Sequence, residues 1–386
     1  GATWRVQQVK KGIRTRKAYP PFTTDSLQQA ASSQLGFNPR LTMKIAQELY
    51  EGVKLGEGKA VGLITYIRTD SVAVAPEAQQ QAREVVIKYF GESYLPAKPP
   101  IFQTRDNTAQ EAHEAIRPVD SWKTPKAVEQ YLTPEQHKLY RLIWRRFIAS
   151  QMKPAIYDTV TVDIETLIEQ SPTVYLFRAT GSTLRFAGFL KVYGVDADAE
   201  EARKRRNDQR PSNNGETSRE NESMPDLKRG DLLRLHQLLP KQHFTQPPNR
   251  YTEAQLIGAL KKLGLGRPST YATIVETLKD RRYVGLEKKR LYPTELGFQV
   301  CDLLEKHLET VVDVGFTARM ETDLDRIATG EADRLAIMRE FYGPFKATVE
   351  QALIAAAAER QPAAQVTTSR GRKSGNRKRS AKGYAK

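Results

Sequence analysis

Tyr66 and Arg68 stand two positions apart at the end of an apolar run, in the segment Tyr-Ile-Arg-Thr-Asp-Ser that covers residues 66–71. A tyrosine hydroxyl can attack a phosphodiester as a nucleophile, and a guanidinium offers a planar fork of donors to the charge that develops on the phosphate oxygens. Tyrosines that end a strand are far more often half-buried packing residues, so the pair alone is weak evidence. It makes phosphoryl transfer a hypothesis that the remaining segments must support.

His113 lies in a second segment with chemical potential, Gln-Glu-Ala-His-Glu-Ala-Ile-Arg-Pro at residues 110–118. A zinc protease helix would need a second histidine at the position that Arg117 occupies. A histidine beside a scissile phosphate could donate to a phosphate oxygen or tune the nucleophile. The alternative is a histidine at a helix end that only touches solvent.

A glycine-rich corner at residues 264–271, Gly-Leu-Gly-Arg-Pro-Ser-Thr-Tyr, precedes a predicted helix. Ser269 or Thr270 can cap that helix, and its N-terminal N–H groups would form a phosphate-binding site beside Arg267. Arg281 follows at the C-terminal end, where it either complements the helix dipole or grips a DNA backbone. An ordinary corner between two helices is the alternative.

The composition favours a polyanionic partner. The formal net charge is +16 over 386 residues, so nucleic acid is the first partner to consider. The alternative interpretation is a basic protein whose excess charge sits in a floppy tail at residues 369–386. A single cysteine, Cys301, excludes an internal disulfide framework or cysteine-rich zinc module and fits a reducing compartment. No apolar stretch reaches the roughly 18–20 residues that span a bilayer.

The Asp-Ala-Asp-Ala-Glu run at residues 196–200 has the spacing of a magnesium-binding carboxylate set. It lies in a polar, charged stretch with no buried strand before it, and metal ligands need packed structure to hold them. We therefore interpret this run as part of a solvated linker.

Hydrophobic periodicity predicts the elements that would position these residues. Residues 61–67 are apolar enough for a buried strand that ends near Tyr66. Pro76 opens a helix that ends at Gly91, with an apolar face made of Ala78, Ala82, Val85, Val86 and Tyr89. Residues 155–195 and 232–239 contain strand patterns that an N-terminal strand at residues 4–9 can join. After residue 251, two helices, a hairpin near residues 286–290 and another helix resemble a winged helix-turn-helix.

These elements predict a multidomain α plus β protein in which a helical unit is inserted into a β unit. We expect residues 1–24, 153–195 and 226–240 to form the β unit, and residues 25–152 to form the helical unit that bears Tyr66. We expect a disordered linker at residues 196–225, a mainly helical DNA-binding base domain at residues 241–360 and a disordered basic tail at residues 361–386.

Taken together, these segments resemble the type IA DNA topoisomerases, in their bacterial topoisomerase I branch. The matching segments follow one another in the family's order, at residues 20–24, 27–30, 42–47, 49–52, 64–71, 111–118, 266–272 and 316–321. Ile67 favours the topoisomerase I branch, because the topoisomerase III branch usually has proline at that position.

The resemblance implies a role for each candidate residue. Tyr66 would attack one DNA strand and form a 5′-phosphotyrosyl link, leaving a free 3′-hydroxyl, while Arg68 stabilises the phosphate. His113, Arg267 and Thr270 would bind or position the cleaved strand, and Arg281 would touch DNA.

The resemblance also implies an architecture and a setting. A β-rich hinge and the inserted helical tyrosine domain would form an arch over the helical base. The intact enzyme would relax negatively supercoiled DNA through single-strand cleavage, strand passage and religation, with Mg²⁺ but without ATP or zinc. It would act as a monomer on single-stranded and negatively supercoiled DNA in the bacterial cytoplasm, at the nucleoid, with no membrane partner.

One departure from the family changes what we expect of this chain alone. Family members begin with a Toprim domain that carries a catalytic Glu and Lys and the magnesium ligands, and this sequence contains no such unit. We therefore expect a fragment that binds single-stranded DNA but cleaves and reseals it poorly. A non-catalytic single-stranded DNA-binding module is the main alternative, and it predicts salt-sensitive binding without covalent adducts. A tyrosine recombinase, which forms the opposite 3′ linkage, is a third hypothesis.

Overall fold

A computed structural model of the chain describes residues 2–102, 113–168, 173–194 and 224–360. The carboxylate run at residues 196–200, most of the expected linker and the whole basic tail lie outside these residues. The chain divides into two compact units, Gly1–Gly297 and Phe298–Lys386. The finer domain boundaries expected from the sequence stay a prediction, because this division is coarser than the expected one.

The strands in chain order are β1 (Ala2–Arg16), β2 (Val53–Lys54), β3 (Ala60–Val61), β4 (Ala155–Ile168), β5 (Tyr175–Phe186), β6 (Leu232–Leu233), β7 (Val284–Glu287) and β8 (Arg290–Pro293). The helices are α1 (Thr24–Ala30), α2 (Pro39–Glu51), α3 (Pro76–Phe90), α4 (Pro125–Val128), α5 (Pro134–Ser150), α6 (Glu253–Lys262), α7 (Tyr271–Asp280), α8 (Glu295–Val312), α9 (Val314–Ala328) and α10 (Arg334–Arg360). The mixture of helices with antiparallel sheets confirms the predicted α plus β class.

An antiparallel sheet with the strand order β5-β4-β1-β6 combines strands that precede and follow helices α1–α5 in the chain. Strand β1 pairs with β4 from Ala2 opposite Ile168 to Arg16 opposite Ala155, so the N-terminal strand joins the sheet as expected. Asp163 on β4 binds Arg178 on β5, with 2.7 Å between Oδ1 and Nε. The expected strand at residues 232–239 is wrong in length, because only Leu232 and Leu233 pair with β1.

Helices α1, α2, α3 and α5 bury one shared apolar core, which holds Leu27, Leu49, Val85 and Phe147 at its centre. Helix α2 begins with Pro39 after Asn38, whose side chain accepts a hydrogen bond from the Leu41 N–H at 2.7 Å. Burial of these apolar side chains is the main force that holds the helical unit together.

Helix α3 begins at Pro76 and ends before Gly91, as the sequence predicts. Ala78, Ala82, Val85 and Val86 are buried on its core face, whereas Tyr89 is 55% exposed. Placing Tyr89 on the apolar face was therefore wrong. Its ring instead lies near Trp122 at the surface, with 6.5 Å between the ring centroids.

The predicted strand at residues 61–67 is buried but not regular. Leu63, Ile64 and Ile67 are buried, yet strand β3 ends at Val61, and Ile64 makes an isolated bridge to Pro118. The segment bonds to a different neighbour on each side, because the Leu63 N–H donates to the Leu49 carbonyl and the Leu63 carbonyl accepts from Val119. A segment held between a helix end and a loop cannot extend a sheet ladder.

Helices α6 and α7, the β7–β8 hairpin and α8 follow one another in the predicted winged helix-turn-helix order. Ile257, Tyr271 and Val275 form the small core of this part. In the second unit, Asp313 caps α9, and its carboxylate accepts from the Phe316 N–H at 2.7 Å. Among the described residues, no helix is both long and apolar enough to cross a membrane.

Candidate active site and nucleic-acid interface

The Tyr66 side chain stands at the surface, with 38% of the residue exposed. Two aromatic rings hold it there. The Tyr50 ring meets it edge-on with 5.6 Å between centroids, and the His113 ring lies 5.3 Å away at an interplanar angle of 30°. The hydroxyl is therefore presented from a fixed ring and is not shut inside an apolar interior, as a nucleophile requires.

Thr65 and residues 115–117 form a short hydrogen-bonded backbone strap, which brings Tyr66 and His113 together. The Thr65 N–H donates to the Arg117 carbonyl at 2.9 Å, and the Thr65 hydroxyl donates to the Ala115 carbonyl at 2.7 Å. The Arg117 N–H returns a bond to the Thr65 hydroxyl at 3.0 Å. Residues on both sides of the strap are thus fixed relative to each other, which explains how two segments distant in sequence form one site.

Glu114 ties the same strap to helix α3. One carboxylate oxygen accepts the Ala75 N–H at the start of the helix, at 2.9 Å, and the other binds the guanidinium of Arg117, with 2.9 Å to Nε. Arg117 is buried and also donates to the Pro118 carbonyl. Its guanidinium is therefore committed to structure. The sequence pattern gave Glu114 no role, because its spacing could not show which N–H it would reach.

His113 is half-buried, and its Nδ1 has no hydrogen-bond partner within the described residues. The ring is held by its contact with Tyr66 and by the strap that follows it. An imidazole in this position can donate to a phosphate oxygen bound next to the tyrosine.

Arg68 is exposed, and in the described parts of the chain no acidic side chain forms an ion pair with it. Its two neighbours, Ile67 and Thr69, are buried. The Thr24 hydroxyl donates to the Ile67 carbonyl at 2.7 Å and accepts from the Thr69 N–H at 2.9 Å. The backbone on both sides of Arg68 is therefore anchored while its guanidinium stays available to an anion.

Thr24 does not cap α1. The residue before this helix is Thr23, whose N–H donates to Ser26 Oγ at 2.9 Å. Thr24 is the first residue of the helix, and its hydroxyl serves the Arg68 segment instead.

The other tyrosine with a distinct environment, Tyr140, does not compete for the role of nucleophile. It is buried, and its hydroxyl donates to the Lys123 carbonyl at 2.6 Å. Burial, with a smaller contribution from the charge of Asp120, raises the pKa of Tyr140 far above its usual value. Its hydroxyl therefore stays protonated and occupied.

Arg267 and Thr270 form one closed turn at the start of α7. The Thr270 hydroxyl accepts the Arg267 N–H at 2.8 Å, and the Thr270 N–H donates to the Arg267 carbonyl at 2.9 Å. Thr270 occupies the position before the helix, but its hydroxyl does not cap a helical N–H. Arg267 is half-buried and Arg281 is exposed at the opposite end of α7. These cations thus border the two ends of a helix about 15 Å long.

Helices α1 and α2 pack directly on helices α6 and α7. Helix α2 contacts α7, and Arg40 on α2 binds Glu276 on α7 at 3.0 Å. The buried Asp25 on α1 binds Lys261 on α6 at 2.7 Å. Tyr50, at the end of α2, touches the Tyr66 ring, so α2 links the candidate nucleophile to the helix that carries the basic residues.

A magnesium site does not fit the residues that the structure describes. None of their His, Cys, Asp and Glu side chains form a group of three that could hold a metal ion. No catalytic step is assigned to a metal on this chain.

Comparisons with known proteins agree on one family. The family described as DNA topoisomerase matches residues 1–339. DNA topoisomerase 1 of Xylella fastidiosa strain 9a5c is 44% identical over 356 residues, which cover 90% of this chain and 42% of that protein. DNA topoisomerase 1 of Rickettsia felis is 42% identical over 349 residues, with 90% and 42% covered. The chain therefore spans less than half the length of these curated relatives.

A solved structure shows the same fold. Full-length topoisomerase I from Thermotoga maritima superimposes with a TM-score of 0.73 at 35% sequence identity, over 90% of this chain and 52% of that one. The likeness therefore extends over most of this chain.

Proposed function

Because this chain belongs to the bacterial type IA DNA topoisomerase family, we propose that it holds a single strand of DNA and presents Tyr66 to the strand as the nucleophile. The observation that carries the proposal is the exposed Tyr66 ring packed against His113, two residues before an exposed Arg68. A hydroxyl, an imidazole and a guanidinium are the groups that cleavage of a phosphodiester needs.

In the proposed cleavage step, the Tyr66 oxygen attacks the phosphorus and loses its proton. The bond between phosphorus and the 3′-oxygen breaks, and that oxygen leaves with a proton as a free 3′-hydroxyl. The phosphate stays joined to Tyr66 as a 5′-phosphotyrosyl link. Religation reverses these events, and the linkage conserves the energy of the broken bond, so no ATP is consumed.

The residues near Tyr66 have separate roles in this step. Arg68 stabilises the negative charge on the phosphate, and the Thr24 hydrogen bonds hold its backbone in place. His113 donates to a phosphate oxygen or orients the tyrosine hydroxyl. Arg267, Thr270 and Arg281 bind the strand near α7, where the charge of the two arginines adds affinity that falls with salt.

The wider assignments belong to the same proposal. We propose that the enzyme to which this chain contributes relaxes negatively supercoiled DNA as a monomer, in the bacterial cytoplasm and at the nucleoid. We also propose that it depends on Mg²⁺, although the described residues offer no cluster that could hold the ion.

The test is a chimera in which this chain replaces the matched segment of the Xylella fastidiosa relative. We expect the chimera to relax supercoiled plasmid with Mg²⁺ and to leave protein–DNA adducts after denaturation. Tyr66→Phe should abolish both, with single-stranded DNA affinity within about twofold of the unchanged chimera. Tyr50→Phe is the matched control, since it removes a neighbouring hydroxyl and should retain adducts.

Two further outcomes would refute specific parts of the proposal. Adducts that survive Tyr66→Phe would mean that the nucleophile is another residue. Adducts attached to the 3′ end of the cut strand would assign recombinase-type chemistry. For this chain without additional protein, we expect DNA binding and no relaxation, so robust relaxation by the chain alone would contradict that expectation.

A further inference from the structure

A cleft of about 780 Å³ opens between helices α1, α2 and α5 on one side and α6, α7 and the β7–β8 hairpin on the other. Its walls come from α1 and the segment after it, the start of α2, α5, the start of α6, the end of α7 and the β7–β8 hairpin. None of Tyr66, Arg68, His113, Arg267, Thr270 or Arg281 lines it. The proposed function therefore leaves this cleft without a role.

The cleft carries a large excess of positive charge. Its cationic lining residues are Arg145, Arg146, Lys279, Lys288, Lys289 and Arg290. Among its lining residues, Glu253 is the one carboxylate, and it already pairs with Lys279 at 2.8 Å. An anion is therefore the ligand that this surface would attract.

Arg146 on α5 is only 9% exposed. Its guanidinium lies over the Phe22 and Tyr19 rings, at 4.2 and 5.0 Å from their centroids. Its Nη1 donates to the Pro20 carbonyl at 3.5 Å, but within the described residues it has no carboxylate partner and its buried Nε has no hydrogen-bond partner. Buried arginines are normally paired with acids, so one without an acid at a cleft indicates an anion that completes it.

Arg145, the adjacent residue of α5, strengthens this observation. Burial lowers the pKa of the Arg145 guanidinium, and the neighbouring charge of Arg141 lowers it further. Burial and repulsion between neighbouring cations both destabilise the charged form of the guanidinium. A bound phosphate would stabilise that charged form.

The opposite wall ends in an unusual turn. Lys288 and Lys289 form the two-residue loop of the β7–β8 hairpin, with φ angles of 47° and 65°. Such turns favour Asn-Gly, because side chains with a Cβ are strained at positive φ. Two lysines kept in this conformation, both exposed and both lining the cleft, indicate a function that outweighs their conformational cost.

We propose that this cleft binds the phosphates of single-stranded DNA, as a second contact region apart from the residues around Tyr66. The proposal rests on the proposed function for the identity of the ligand. A cleft of this volume exceeds what a single phosphate needs, and cations on both walls match a backbone that carries a charge at every nucleotide.

The test uses the intact chain and a variant in which stability and binding should change in opposite directions. Lys288→Asn with Lys289→Gly removes both charges and installs the dipeptide that this turn prefers. We expect a higher melting temperature but about tenfold weaker binding of a single-stranded oligonucleotide at 50 mM salt, by fluorescence anisotropy. The slope of log K against log salt should become shallower by about 1.4, since each lost phosphate contact on a single strand contributes about 0.7.

Two matched controls separate the cleft from net charge. Lys288→Arg with Lys289→Arg keeps the charges and should bind like the unchanged chain. Lys88→Ala with Lys138→Ala removes two exposed lysines that do not line the cleft and should change the slope by less than half as much.

If the Asn-Gly variant keeps the original affinity and slope, or only matches the Lys88 and Lys138 variant, the cleft assignment is overturned and the Tyr66 proposal stands. If the unchanged chain does not bind the oligonucleotide, both proposals fail.

Discussion

Thr24 and Thr69 exchange two hydrogen bonds, because the Thr24 N–H donates to the Thr69 carbonyl at 2.8 Å and the Thr69 N–H donates to the Thr24 hydroxyl at 2.9 Å. Both residues are fully buried. The same hydroxyl donates to the carbonyl of Ile67, so it bonds to the backbone on both sides of Arg68. Helix α1 therefore fixes the segment that carries the proposed phosphate-binding arginine.

Thr24→Val should destabilise the protein and disturb Arg68. Valine has nearly the same shape but leaves the Ile67 carbonyl and the Thr69 N–H without this partner, which costs about 1–3 kcal/mol for buried groups. Urea unfolding measures the loss, and adduct yield in the chimera measures the effect on Arg68. Thr24→Ser keeps the hydroxyl and should restore most of both, so equal losses in the two variants would exclude the hydrogen bonds as the cause.

His113→Phe should slow adduct formation while leaving the protein folded. Phenylalanine can keep the ring contact with Tyr66 but cannot donate to a phosphate oxygen. Loss of one such donor or proton carrier costs about 10²–10³ in rate. Single-turnover cleavage by the chimera measures this rate, with DNA affinity as a parallel readout. A variant that cleaves at the original rate would reduce His113 to a packing residue.

The candidate residues could be selected from the sequence, but the contacts that hold them could not. Tyr66, Arg68 and His113 attract notice by residue type, and the structure brings Tyr66 and His113 into ring contact. The roles of Glu114 and Thr24 were not predicted, because their partners at Ala75 and Ile67 are backbone groups distant in sequence. Side-chain bonds to backbone leave no residue-type pattern, so only the fold reveals them.

The fold, like the site, could be predicted from the sequence only where the signals are local. Helix α3 follows from proline, glycine and apolar spacing, which are local signals. The segment at residues 61–67 was expected to be a strand because it is apolar, but burial between α2 and the loop after His113 explains its composition equally well. The apolar run predicts burial, whereas the identity of the hydrogen-bond partners depends on contacts that composition does not encode.

The β5-β4-β1-β6 sheet should lose stability in acid through Asp163. The hydrogen bond from Arg178 holds the pKa of the Asp163 carboxyl below its usual value. A carboxyl whose folded pKa is depressed stabilises the fold above its unfolded pKa of about 3.9, and this contribution disappears as pH falls through the folded value. Thermal unfolding between pH 2 and 6 should therefore show a steeper acid loss in the unchanged chain than in Asp163→Asn. Parallel curves would show that this pair does not contribute.

Gly266→Ala should weaken DNA binding by displacing Thr270. Gly266 has a φ of +78°, and an added Cβ would lie 2.9 Å from the Thr270 hydroxyl oxygen and 3.0 Å from the Ile274 side chain. The turn that joins Arg267 to Thr270 would have to shift, in addition to the usual cost of about 1 kcal/mol for a side chain at positive φ.

Gly330→Ala provides the matched control, because that residue has the same φ with no atom within 4 Å of the added Cβ. We expect both variants to lose similar stability from the backbone, by thermal unfolding, with a further loss for Gly266→Ala alone. If the Arg267–Thr270 turn contacts the strand, only Gly266→Ala should also lower the affinity for single-stranded DNA, by about tenfold. Equal affinities for the two variants would show that this turn is not part of the DNA interface.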